Sequence, residues 1–354
     1  MFKPKRLALA RMRRRFTSRI LAELAGISPV TLSRVENGKQ DPDDETIAKL
    51  SKALGYPIDF FFLRDVDAVD ERAASFRSMS SMSARERDAA LASGLLALEI
   101  SDWIDARFNL PLIDILTFDH QQDPSAAARA LRQYWAIGEK PIGHFVKLIE
   151  SKGVRVFALA ENTRTVDAFS YWRNGIPYMF LNTIKTAERS RFDAAHELGH
   201  LVLHRHGGPS GREAEYQANM FASAFLMPEA DVVAKVPYVT KLSDLIIEKR
   251  RWGVSLAALA FRLHKLKRIT DWQYRSYCIQ IERDHGNSEP NALLREKSAV
   301  WQMVLTELWK DGITRHSIAD ELKLPHEEVD TLLFGLMGEH TVPTAKRKPQ
   351  LRSV

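Results

Sequence analysis

The run Arg191–His206, "RFDAAHELGHLVLHRH", constrains the folding of this chain more than any other segment. Its apolar residues recur with a helical period, so one face must be buried, yet His196, Glu197 and His200 fall among them. Burying imidazole and carboxylate groups is costly unless they are hydrogen-bonded, paired or bound to a metal. His196 and His200 are four residues apart, on one helical face and close enough to share an ion. Glu197 lies next to His196, where a carboxylate can act on a water in an open coordination position. Hydrogen-bonded structural histidines are the alternative. The apolar setting favours a metal, and two histidines with a carboxylate suit Zn²⁺ best among divalent ions.

The same run holds two further histidines. His204 shares the face of His196 but lies eight residues on, roughly 12 Å along the axis at the α-helical rise, too far to share the ion. His206 stands where the third histidine falls in H-E-x-x-H-x-x-G-x-x-H enzymes, but that arrangement needs glycine at position 203 and Leu203 is there. The third ligand is better sought in "GREAEYQANMFASAFLMP". There Ala218, Asn219, Ala222, Phe225 and Leu226 repeat at three- and four-residue steps, and Glu215 belongs to that buried stripe. Glu213 and Gln217 are turned away from it. An inward carboxylate on a small-residue face calls for a cation; pairing with an arginine or Asn219 is the alternative. Tyr171, Tyr178 and His204 are unranked candidates to stabilise an oxyanion. Arg191 and Asp193 are expected just before the helix, with Asp193 as its cap.

The opposite end carries another signal. Residues 1–40 hold ten Lys/Arg against Glu23 and Glu36, so the rest of this chain of net charge +6 carries a small negative balance. Such asymmetry points to a polyanion partner for that end alone. In "TSRILAELAGISPVTLSRVENGKQDP" a helix over Ser18–Ala25 stops at Gly26, and Ser28 caps a second helix with Pro29 at its first position. Leu21, Leu24, Leu32, Val35 and Leu54 are expected in the core. Ser28, Pro29, Val30, Ser33, Arg34 and Asn37 are left outward, to enter a major groove of double-stranded DNA. Arg34 and the cluster Arg13, Arg14 and Arg15 are expected to reach phosphates. The alternative is a helical bundle with a solvated basic face.

With 354 residues, 45% of them hydrophobic, the chain can bury more than one core. The expected class is mainly α with a small β-sheet (α+β). Its units are a helix-turn-helix bundle over 1–66, an amphipathic helical connector over 67–128, a zincin-like domain over 129–230 and a helical C-terminal region over 231–340. A basic, disordered tail is expected over 341–354. "GVRVFAL" and "GIPYMFLN" read as strands, and a substrate peptide is expected to add a strand beside "PYMFLN". "GITRHSIADELKLPHEEVDTLL" reads as a helical hairpin for protein contact, because "HEEVD" is wrong for phosphates. No apolar run reaches membrane-span length, and the basic N-terminus lacks the apolar segment of a signal peptide. Cys278, the single cysteine, excludes an internal disulfide and is read as a packed small hydrophobe. A cytoplasmic location is therefore expected, with a homodimer as one admissible assembly.

"LAELAGISPVTLSRVENGKQDP" resembles the XRE-type, phage-repressor-like helix-turn-helix over about residues 6–62. That family often has Gln at the start of its second helix for a phosphate contact, where Ser18 stands here. "RFDAAHELGHLVLH" followed by "EAEYQANMFASAFLMP" resembles the ImmA/IrrE zinc metallopeptidases, and "FRSMSSMSA" and "DAFSYWRNGIPYMFLN" resemble their long members. The resemblance implies His196, His200 and Glu215 as zinc ligands and Glu197 as the catalytic glutamate. It also implies cleavage of a transcriptional repressor to switch on stress or mobile-element genes. Two other functions are weighed against this: a non-proteolytic DNA-binding regulator whose peptidase fold senses a ligand or partner, and an antitoxin-type module.

Overall fold

Thr17, Ser28 and Asp43 each accept a backbone N–H from three residues on, and each starts a helix. Gly26 and Gly55 stop two of these helices in the left-handed conformation, where a Cβ would be strained. The computed structural model describes residues 1–65, 83–118, 123–159, 168–209, 211–286 and 288–337. Its first unit comprises α1 (Pro4–Arg13), α2 (Ser18–Ala25), α3 (Pro29–Glu36), α4 (Asp44–Leu54) and a 3-10 turn over Ile58–Phe62. Leu21, Leu32, Val35, Ile47, Leu50 and Leu54 fill its core. Leu24 does not join them: it is 56% exposed. Leu21, Ala22 and Ala25 set the inward direction of α2, and Leu24 lies on the helix more than a quarter-turn from its centre.

The 67–128 region is not an amphipathic connector where the structure describes it. Its helix α5 (Ala84–Asp105) is buried on nearly every side, from Ala89 to Ile104. One side takes α1, with Arg6 ion-paired to Glu99; the other takes the sheet, where Tyr178 donates to Ser101 at 3.3 Å. A helix clad on both sides needs no polar face, and its sequence accordingly has few charges after Asp88. The Ser/Met-rich opening of the region, within 66–82, and the expected basic tail at 341–354 lie outside the described residues.

After α6 (Pro124–Tyr134) and α7 (Phe145–Ser151) come β1 (Arg155–Leu159), β2 (Ala168–Arg173) and β3 (Ile176–Asn182). β3 is central, parallel to β1 and antiparallel to β2. β2 and β3 form a hairpin closed by Asn174 and Gly175, both at positive φ, as a two-residue turn requires. The expected placement of a peptide beside "PYMFLN" is thereby corrected, since β3 is paired along both edges. Phe157, Phe169, Tyr171, Tyr178 and Phe180 stack on one face of the sheet, against α5. The other face receives α8 (Ala187–Leu203), which crosses α9 (Arg212–Leu226); α6 packs behind α9. Thr186 caps α8, so Arg191 and Asp193 lie inside this helix and not ahead of it. Arg191 donates to the carbonyls of Ile142 and Gly143 and pairs with Glu296, while Asp193 pairs with Lys185.

The remaining helices are α10 (Glu229–Lys235), α11 (Leu242–Trp252), α12 (Leu256–Lys265), α13 (Asp271–Asp284), α14 (Ala299–Lys310), α15 (Arg315–Leu322) and α16 (His326–Val329), followed by a π turn over Asp330–Phe334. The architecture is thus mainly α with a small β-sheet. Residues 298–337 form an arm that returns across the molecule. At one end Glu150 of α7 accepts from the Ser298 hydroxyl and the Ala299 amide, and Trp301 donates to the Val156 carbonyl on β1. At the other end Glu328 takes a 2.8 Å bond from Arg13, and Glu327 a 2.7 Å bond from Arg14. The hairpin therefore makes a protein contact, within its own chain.

Glu150 is buried, and burial raises its carboxyl above the ordinary range even though three donors face it. Glu150→Ala strands Ser298 and the first amides of α14 without an acceptor. We expect it to lower unfolding stability by about 1–3 kcal/mol, read from denaturant midpoints, with Glu150→Gln milder. An unchanged midpoint for Glu150→Ala contradicts this account of how the arm is anchored.

Candidate metal centre

The donors gather because two helices approach almost backbone to backbone. A Cβ built on Gly199 of α8 would stand 3.2 Å from the Ala218 Cα of α9. Only small residues allow so close a crossing. It brings Glu215, one turn before Ala218, opposite His196 and His200. His196 Nε2 and His200 Nε2 lie 3.0 Å apart. Glu215 Oε2 is 3.2 Å from His196 Nε2, and Oε1 is 3.5 Å from His200 Nε2. Among the described residues, these three are the group of donors able to hold one ion.

The donor set fits zinc. Two imidazole nitrogens and a carboxylate oxygen are donors that zinc takes, and one such atom from each residue lies within 4.8 Å of the other two. Glu215 Oε1 is buried and accepts no hydrogen bond from the described residues, as expected of an atom meant for a cation. Burial opposes the charge on Glu215, but the adjoining His196 and His200 rings outweigh it and hold the carboxyl well below its usual range. Burial likewise lowers the His196 pKa, yet contact with Glu215 and the nearby Glu197 charge raise it on balance. These two shifts express one fact: His196 and Glu215, each costly to desolvate singly, are set against one another.

Glu197 points from α8 toward the sheet and is 1% exposed. Its Oε2 accepts from the Ser170 hydroxyl at 2.7 Å. Ser170 lies between Phe169 and Tyr171 on β2, so strand alternation turns it to the face opposite the aromatic layer. The sequence alone assigns no role to Ser170 and gives no strand over Ala168–Arg173. The available clue was a hydroxyl residue inside an otherwise aromatic strand. Alternation also corrects the oxyanion candidates: Tyr171 and Tyr178 face α5, on the other side of the sheet from Glu197. His204, the third candidate, is engaged by His200 and Gln217. Gln217 is therefore not turned wholly away, since its long side chain reaches around α9 to His204. His206 lies outside the donor group.

At the N-terminal unit, Ser28, Pro29, Val30, Ser33, Arg34 and Asn37 are all exposed, on α3 and its two caps. Ser18, where a phosphate-contacting Gln was considered, donates to Glu36 at 3.1 Å, and Glu36 also pairs with Arg11. Arg13 and Arg14 correct the expectation of a phosphate-reaching cluster. They are half-buried and held by Glu328 and Glu327, and Arg14 also donates to the Leu54 carbonyl at 2.7 Å. Arg15 is half-buried with φ of 58°. Sequence reading counted these charges without seeing the acidic helix, more than 300 residues away, that receives them.

Residues 149–264 match the peptidase M78 family model, described as the IrrE N-terminal-like domain, and residues 7–61 match a helix-turn-helix model. The curated proteins provide no match. Among the described residues no helix is long and apolar enough to cross a membrane.

His196→Ala and Glu215→Ala are each expected to lose stoichiometric zinc on metal analysis of the purified protein. Full retention by either variant contradicts this donor set. Gly199→Val, which forces α8 and α9 apart, is expected to weaken zinc binding at least about tenfold although it alters no donor, because small displacements at a metal site degrade it.

Proposed function

From the premise that this chain joins a helix-turn-helix segment to an IrrE-type peptidase segment, we propose that it is a DNA-binding regulator and a zinc-dependent endopeptidase. Its substrate is a transcriptional repressor. The observation that carries the reading is the convergence of His196, His200 and Glu215 beside Glu197, on a chain whose α3 face is exposed. The DNA-reading unit spans 1–66 and the peptidase unit 129–230. The first brings the second to where repressors sit.

His196, His200 and Glu215 would hold the zinc. Bound there, zinc supplies Lewis acidity toward a water and toward the scissile carbonyl. Glu197 takes the proton of the attacking water and delivers it to the leaving amine, and the Ser170 hydroxyl fixes the carboxylate's orientation. Glu197 and Ser170 both lie on the α8 side of the sheet. In the DNA-reading unit, Ser28, Pro29, Val30, Ser33 and Asn37 face the major groove, with Arg34 at a phosphate.

Two outcomes are expected. Zinc-loaded protein cleaves a repressor of the helix-turn-helix class, and Glu197→Gln cuts the rate by about 10²–10⁴-fold while keeping its zinc. Equal cleavage by both proteins sinks the mechanism; operator binding with no cleavage by the zinc-loaded protein supports the non-proteolytic regulator instead. Separately, Arg34→Ala is expected to weaken DNA binding at all sequences and to reduce the salt slope by about 1. An unchanged slope removes Arg34 from the phosphate contacts.

A further inference from the structure

A neutral histidine that offers Nε2 to a metal must carry its proton on Nδ1, and a buried N–H needs an acceptor. For His196 that acceptor is Asn219 Oδ1, 3.0 Å from Nδ1 and four residues beyond Glu215 on α9. For His200 the partner is less usual: its Nδ1 lies 2.9 Å from Nδ1 of His204. His204 can accept there only if its own proton sits on Nε2. That nitrogen is 3.0 Å from Gln217 Oε1. The Gln217 amide, with its oxygen so engaged, donates from Nε2 to Glu213 Oε1 at 3.2 Å. Every link sets the next, and the series ends on an exposed carboxylate.

Resting on the zinc reading above, we propose that His204 and Gln217 are positioning residues for the metal. They lock His200 in the Nδ1–H tautomer and aim its Nε2 at the ion. His204 is too far along α8 to be a ligand, yet as the residue that caps this helix it lies one turn from His200 with ring centroids 5.1 Å apart. The relay joins the end of α8 to the beginning of α9, so it also ties together the two helices that carry the ligands. Outer partners of this kind set ligand orientation and basicity, and their loss typically costs about 10–100-fold in metal affinity.

The test uses the full chain and zinc alone, titrated against a competing chelator. His204→Phe fills the space but accepts nothing, and is expected to bind zinc about 10–100-fold more weakly. His204→Asn restores an acceptor near the Nδ1 position and is expected to recover most of that loss. Gln217→Ala frees His204 to change tautomer and is expected to fall between. The melting temperature of the zinc-free His204→Phe protein should match that of the unsubstituted chain. If it does not, His204→Asn and Gln217→Ala decide the matter. Equal zinc affinity across the series overturns the relay, as does a failure of His204→Asn to improve on His204→Phe. A second readout needs no metal: nitrogen-15 histidine spectra of the zinc-free protein should show His204 as the Nε2–H tautomer, and as a mixture in Gln217→Ala. A single tautomer in both proteins overturns the relay. Absence of zinc binding by the unsubstituted chain counts against the zinc reading, while these spectra still decide the relay.

Discussion

The close crossing of α8 and α9 at Gly199 and Ala218 is the contact on which the rest of the peptidase region depends. A larger side chain at either position would widen the gap, and Glu215 would no longer face the two histidines. The same approach lets α9 supply three different services within five residues: Glu215 to the donor group, Gln217 to His204 and Asn219 to His196. Burial of these polar groups is tolerated because each is matched by another. α6 buttresses α9 from behind, and the three-stranded sheet supports α8 from the opposite side. The centre is thus held between packed layers and not on a loop.

A second constraint acts over a longer range. The arm over residues 298–337 is anchored through Glu150 and Val156 beside the sheet and through Arg13 and Arg14 at the helix-turn-helix unit. Glu328 is buried, so its ion pair with Arg13 is better shielded from salt than an exposed pair, and removing one partner would leave the other charge stranded. Together with α5, which lies between α1 and the sheet, the arm gives the two units a shared core. The α3 face and the donor group therefore belong to a single packed body, with the exposed residues of α3 on its outside.

Much of this was legible because it is local. Caps, left-handed glycines and four-residue spacing are properties of short segments, and they located α2, α3 and α8 and the face shared by His196 and His200. Glu215 was legible too, since the stripe of small residues on α9 marks its own inward side. The relay was not, because Gln217 reaches His204 only across the gap between two helices. Leu24 was misjudged since eight residues of α2 leave its inward direction uncertain until the neighbouring helices are in place. Ser170 was missed because a single hydroxyl in a strand has no periodic signature of its own.

By itself, then, the sequence determined α2 and α3 with their caps and the face that His196 and His200 share, since those follow from dihedral preference and periodicity over a few residues. Only the tertiary structure decided which side of the sheet a tyrosine occupies, whether β3 has an open edge and whether an arginine near the N-terminus meets solvent or a distant glutamate. Those outcomes depend on pairing and burial between segments far apart in the chain. Arg13 and Glu328, 315 residues apart and in contact, are the clearest instance.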